Sequence, residues 1–122
     1  REFARVAGEV GPDRIAAARR AAAALAVPVL LKGNATVVAD PAGRALVHPS
    51  ATSWAATAGS GDVLSGIVGA LLAAGFTPWW AGGCATYLHG VAAALAAAGA
   101  PAPASAIQHA IPAAIRRVRV VD

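Results

Sequence analysis

Six residues, Thr57-Ala58-Gly59-Ser60-Gly61-Asp62, stand directly before the most apolar helical stretch of the chain. That stretch runs over 62–74, with Val63, Leu64, Ile67, Val68, Leu71 and Leu72 at helical spacing. Glycines let the backbone turn tightly and approach a ligand with no Cβ in the way. The unpaired N–H groups of the first helical turn then face that ligand, and the helix dipole favours negative charge there. Gly59, Ser60 and Gly61 are therefore a candidate anion hole for phosphate. Asp62 is odd in such a place, because bound phosphate repels a carboxylate. Its position makes sense if it accepts a proton from an attacking hydroxyl. Taken alone, the six residues also fit an ordinary turn with Asp62 capping the helix.

The segments before this turn suggest an α/β chain. Gly11-Pro12-Asp13 reads as a helix start, with Pro12 at the first helical position and Asp13 in the first turn. A helix follows over about 14–26, stopped by Val27-Pro28. Val29-Leu30-Leu31 is short and wholly apolar, which suits a strand buried on both faces of a parallel sheet. It ends in Lys32-Gly33-Asn34-Ala35-Thr36. In open α/β sheets ligands collect at the carboxyl ends of strands, so Lys32 is placed to offset phosphate charge. A surface lysine fits equally well when the segment is read alone. Residues 36–39 and 45–48 read as a hairpin about the turn Asp40-Pro41-Ala42-Gly43, and 49–57 as a loop. After Gly75, Pro78 opens a helix to about Ala98, and a last helix from about Ala104 is expected to break or restart at Pro112. One parallel-type strand and one hairpin make an incomplete central sheet, so the chain reads as part of a larger domain.

Composition narrows the function classes. Hydrophobic residues are 57% of the 122, but much of that is alanine, a strong helix former and weak hydrophobe. Residues 81–98 approach the roughly 20 needed to span a bilayer. They carry three glycines, Thr86, Tyr87 and His89 and few Leu or Ile, which argues against a membrane span. The formal charge is +4, yet the basic residues, among them Arg14, Arg19, Arg20 and Arg116, lie on helix faces without interleaved aromatics. A solvated cationic surface is expected, and no nucleic-acid partner. The single cysteine, Cys84, cannot form an internal disulfide and fits a reduced, cytoplasmic setting.

Four blocks in order carry a family resemblance. Arg1-Glu2-Phe3-Ala4-Arg5-Val6 resembles the end of the segment TPHxGEFARL of the ADP/ATP-dependent (S)-NAD(P)H-hydrate dehydratases, which are ribokinase-like enzymes. Residues 31–40 resemble their LKGxxTVIAD, residues 56–66 their ATAGSGDVLAG, and Tyr87-Leu88-His89-Gly90 their YLHG. The resemblance implies that 1–122 is the C-terminal, nucleotide-binding portion of a three-layer α/β/α ribokinase-like domain. The histidine of TPH and the upstream sheet would lie before Arg1. It implies nucleotide contacts at Lys32, Gly33, Asn34, Ala35, Thr36 and Gly61, and contact of Asp62 with the substrate, hydrated NADH or NADPH. It also implies ADP or ATP as co-substrate, Mg²⁺ bridging the nucleotide phosphates, no membrane or nucleic-acid partner, and a homo-oligomer for the full-length protein. Tyr87 and His89 belong to the signature but are assigned no chemistry, and a packed histidine is expected on so alanine-rich a helix. Ser53-Trp54 stands where the family often has Asn-Pro, so Trp54 either reshapes the pocket wall or shields the loop. Residues 1–122 alone are expected to be inactive. A ribokinase-like sugar or vitamin kinase and a truncated, non-catalytic nucleotide-binding remnant are the alternative readings.

Overall fold

The computed structural model describes residues 2–50 and 52–119. Helix α1 (Glu2–Ala7) leads to α2 (Arg14–Leu25). Asp13 is the N-cap of α2, its carboxylate accepting the Ala16 N–H at 2.9 Å, so the helix starts after Pro12 rather than on it. Ala17, Ala18, Ala21 and Ala22 form its buried stripe. With nothing larger than a methyl group on that face, the helix can lie close to the sheet.

The sheet corrects one expectation. Strands β1 (Val29–Leu31), β2 (Ala35–Ala39) and β3 (Ala45–Pro49) form a meander in the order β1-β2-β3, and both pairings are antiparallel. Leu30 faces Val38 and Val37 faces Val47. The segment Val29–Leu31 is therefore not a parallel partner of the strand that follows it. The reason is the connection: only Lys32, Gly33 and Asn34 separate β1 from β2, whereas a parallel crossover needs roughly a dozen residues.

Alternation along β2 builds the layers. Val37 and Ala39 pack on Ala18 and Ala22 of α2, together with Leu31. Val38 points the other way, toward helix α4 (Pro78–Ala97). A Cβ on Gly82 would lie 3.0 Å from Val38 Cγ1, so glycine there lets α4 approach the sheet closely, while at Gly83 an added Cβ would meet only the flexible end of the exposed Leu46, 2.9 Å from Cδ1. The result is helix, sheet, helix, an α/β arrangement in three layers. Helix α3 (Ser60–Ala73) packs on α4 and the sheet through Leu64, Ile67, Ala85 and Leu30. Helix α5 (Ala104–Val118) packs through Ile107 on Ala92 and Ala93.

The helix ends follow their chemistry. At the end of α3 the Gly75 N–H reaches the Leu72 carbonyl and the Phe76 N–H reaches that of Leu71, with Gly75 at φ +97°. This is the paired capping arrangement that favours glycine. Pro112, expected to interrupt the last helix, lies inside an unbroken α5. It is exposed, and so is Gln108, the residue whose carbonyl loses its helical partner to the proline. Among the described residues no helix is long and apolar enough to cross a membrane.

Candidate active site

The β1–β2 turn is held from beneath by a residue that the sequence suggested was only surface charge. Arg14, at the start of α2, sends Nη2 to the carbonyl of Lys32 at 3.0 Å, with the Leu31 and Ala35 carbonyls farther off. This accounts for Gly33: a Cβ there would fall 2.4 Å from Arg14 Nη2. Glycine leaves room here, since the guanidinium occupies the space that a side chain would take and would have to shift to admit one.

Lys32 reaches across to the glycine-rich turn. Its ammonium donates to the Ser60 hydroxyl at 3.0 Å, bridging 28 positions of sequence. Its aliphatic stem passes Gly61, where an added Cβ would sit 3.7 Å from Lys32 Cδ. The structure thus brings together Lys32, Ser60 and Gly61.

Helix α3 begins at Ser60, two residues ahead of the expected Asp62. Gly59 is its N-cap at φ +86°, a left-handed conformation that disfavours any side chain. The Ser60 N–H donates to the Thr57 carbonyl at 3.2 Å and the Asp62 N–H to that of Gly59 at 3.1 Å. Among the described residues no backbone acceptor engages the Gly61 N–H. The candidate anion hole therefore offers Gly61 as its open donor, while Ser60 is 2% exposed and turned toward Lys32. Asp62 is exposed on the first turn, and among the described residues no cation pairs with it.

A polar cavity of about 170 Å³ opens behind Lys32. Asn34, Thr36, His48, Thr86 and His89 line it, and no carboxylate does. One ammonium, two imidazoles and several hydroxyls suit an anionic or richly hydrogen-bonding ligand. Ala35 is not in this cavity; it faces the Arg14 side of β2. Asp62 is not in it either. It stands on the rim of a separate apolar hollow of about 480 Å³, lined by Val63, Ile67, Leu88 and Ile111. The first turn of α3 therefore lies between a polar recess and an apolar one.

His89 is the side chain whose place the sequence reading missed. In the YLHG block the sequence favours a packed histidine over a catalytic one. Its Nε2 lies 3.0 Å from the Ser60 carbonyl. A carbonyl oxygen only accepts, so Nε2 carries the proton in this bond. Burial holds the His89 pKa below the ordinary histidine value. The Ser60 bond opposes that shift, and the charges of Lys32 and His48 add to it. Tyr87 is half exposed and meets His48 edge-on at 5.8 Å between ring centres. Trp54 is 51% exposed and lines a shallow surface hollow with Pro101 and Pro103, outside the polar cavity, to which the loop contributes Ala55 and Ala56 instead. Arg1 of the first motif block is outside the described residues, and Phe3 of the same block packs on the α2 core.

Similar proteins give the arrangement a context. The family model described as NAD(P)H-hydrate dehydratase matches residues 1–115. A Bifunctional NAD(P)H-hydrate repair enzyme Nnr of Mycobacterium leprae is 55% identical over 98 residues, covering 80% of this chain and 21% of the relative. An ADP-dependent (S)-NAD(P)H-hydrate dehydratase of Neisseria meningitidis is 45% identical over 96 residues, covering 75% of this chain and 32% of the relative. The solved structure of Bacillus subtilis YxkO, a member of the UPF0031 family, superposes with a TM-score of 0.82 at 31% identity, covering 91% of this chain and 42% of that one. The chain thus spans a fifth to a third of the length of these two curated relatives. With a matched span that takes in the Lys32 turn, the Gly59–Asp62 turn and His89, the chain belongs to the NAD(P)H-hydrate dehydratase family.

Proposed function

We propose that this segment carries the nucleotide-binding half of an enzyme that restores NADH or NADPH from the S-epimer of its hydrate, with ADP or ATP as phosphoryl donor. The observation that carries this reading is Lys32 docked on Ser60 beside Gly61, with Asp62 one residue farther along. Lys32, Gly33, Asn34 and Thr36 receive the nucleotide, with Ala35 supplying backbone only. The free N–H of Gly61 meets the transferring phosphate, as charge on a moving phosphoryl group requires.

Hydroxide is a poor leaving group and phosphate a good one. In the proposed reaction the ring hydroxyl attacks the terminal phosphorus of the nucleotide, and Asp62 accepts its proton. The bond from that phosphorus to the nucleotide breaks, so ADP becomes AMP, or ATP becomes ADP. The nitrogen lone pair of the reduced ring then expels phosphate from the neighbouring carbon. Loss of a proton from the adjoining carbon restores the double bond. The products are NAD(P)H, inorganic phosphate and the shortened nucleotide. The apolar hollow beside Asp62 suits the uncharged reduced ring better than it suits phosphate.

Among the described residues no three His, Cys, Asp or Glu side chains converge. Mg²⁺ in this site would be held by the nucleotide phosphates and water, as is common for that ion, with Asp62 the carboxylate of the turn. When bound it would neutralise charge on the phosphate oxygens.

The test is an assay of the intact protein with Mg²⁺, hydrated NADH and either ADP or ATP, following the return of NADH absorbance. Nucleotide-dependent recovery with one phosphate released per NADH supports the reading. A stable phosphate ester of a sugar or vitamin alcohol, formed without NADH recovery, would replace it with a kinase.

A further inference from the structure

We propose that His89 is a positioning residue, which fixes the Gly61–Asp62 turn against Lys32 by gripping the Ser60 carbonyl. The inference rests on the phosphoryl-transfer reading above and adds a residue to it.

Ser60 is held at two atoms. Its hydroxyl accepts from Lys32 Nζ at 3.0 Å, and its carbonyl meets His89 Nε2 at 3.0 Å. It is 2% exposed, so neither partner is readily replaced by water. The two grips come from different elements: Lys32 from the β1–β2 turn and His89 from α4. Together they set the height and tilt of the first turn of α3. The next two residues are the open Gly61 N–H and the Asp62 carboxylate, so any shift of Ser60 moves both.

His89 is itself on firm ground. It is preceded by Thr86, whose hydroxyl donates to the Gly82 carbonyl one turn back at 2.8 Å. It is followed by Gly90, where a Cβ would lie 2.7 Å from His48 Nε2, so α4 is pressed onto β3 at this point. A side chain on such a helix can transmit the position of the sheet to the turn.

A packing role and a positioning role make different demands. Packing needs bulk, which leucine supplies. Positioning needs a donor at the reach of Nε2, which glutamine supplies and leucine and asparagine do not. Displacing a reacting group by about 1 Å can cost on the order of a hundredfold in rate. In the intact protein, His89→Leu and His89→Asn should lower kcat by about tenfold to a hundredfold. The KM for ADP or ATP should change much less than kcat. His89→Gln should recover most of the lost rate.

A second readout does not depend on the reaction. Amide hydrogen exchange over residues 61–64 should quicken in His89→Leu and His89→Asn and stay near wild type in His89→Gln. If the three variants show this exchange pattern while the wild-type protein has no dehydratase activity, the grip stands and the functional reading fails. If the wild type is active while leucine matches glutamine in both kcat and exchange, His89 is a packing residue and the inference is overturned.

Discussion

Lys32 and Ser60 lie 28 positions apart and meet at 3.0 Å, ammonium to hydroxyl. The contact joins the β1–β2 turn to the N-terminus of α3 and makes one site of two loops. Removing the ammonium removes a charge-assisted donor, worth about 1.5–3 kcal/mol. Lys32→Ala should therefore weaken ADP or ATP binding by roughly ten- to a hundredfold, with less effect on the hydrate. Isothermal calorimetry checks this, and unchanged nucleotide affinity would return Lys32 to a structural role.

Asp62 should separate binding from chemistry. It is exposed on the first turn of α3, without a paired cation among the described residues, and outside the polar cavity. Asp62→Asn keeps the shape and removes the base. Turnover should fall by at least about a hundredfold, the lower end for a positioned acid–base group. Nucleotide affinity should stay level or rise slightly, because a negative charge is gone. Turnover within a few-fold of wild type would reject the proton-acceptor role.

Gly33 and Arg14 form a testable pair. A methyl group at Gly33 meets the guanidinium, which must leave the Lys32 carbonyl. Gly33→Ala and Arg14→Ala should each destabilise by about 1–3 kcal/mol in denaturant unfolding. They should not add: in an Arg14→Ala background the Gly33→Ala change should cost little. Additive losses would mean that Gly33 is needed for some reason other than room.

Acid should weaken the fold through His89. Its pKa lies below the ordinary histidine value of 6.5 because burial disfavours its charge, with Lys32 and His48 adding to the effect. The unfolded chain then binds the proton more readily than the folded one. The corresponding stability is complete above about pH 6.5, where the unfolded side chain is also neutral, and is lost as pH falls toward the lowered folded value. Thermal melts should show Tm falling below that point, and His89→Gln should flatten the fall. An unchanged pH slope in the variant would remove His89 as its source.

Much of this architecture was readable from residue spacing, and the failures have physical causes. The start of α2, the β2–β3 hairpin about Asp40–Gly43 and the paired cap at Gly75 all follow from local rules. In the hairpin the Asp40 carboxylate takes both the Arg44 N–H and guanidinium. The antiparallel placing of β1 was legible too, since three residues cannot make a crossover, but apolar composition suggested a parallel strand instead. Pro112 broke no helix: it and Gln108, the residue whose carbonyl it deprives of a donor, both lie on the exposed face of α5. Arg14 and His89 could not be placed from spacing. Each acts on a carbonyl in a distant segment, 17 to 29 positions away, and only the packing of α2 and α4 against the sheet brings them there.

The central claim is that the ring oxygen leaves as part of phosphate. The most direct measurement uses hydrated NADH with isotopically heavy oxygen in its ring hydroxyl, incubated with the intact protein, Mg²⁺ and ADP or ATP. Phosphoryl transfer to that hydroxyl followed by elimination predicts that the heavy oxygen appears in the released inorganic phosphate, one atom per NADH restored. Heavy oxygen recovered in water, with unlabelled phosphate, would mean that the hydroxyl departs without being phosphorylated, and the roles given to Asp62, Gly61 and Lys32 would not hold.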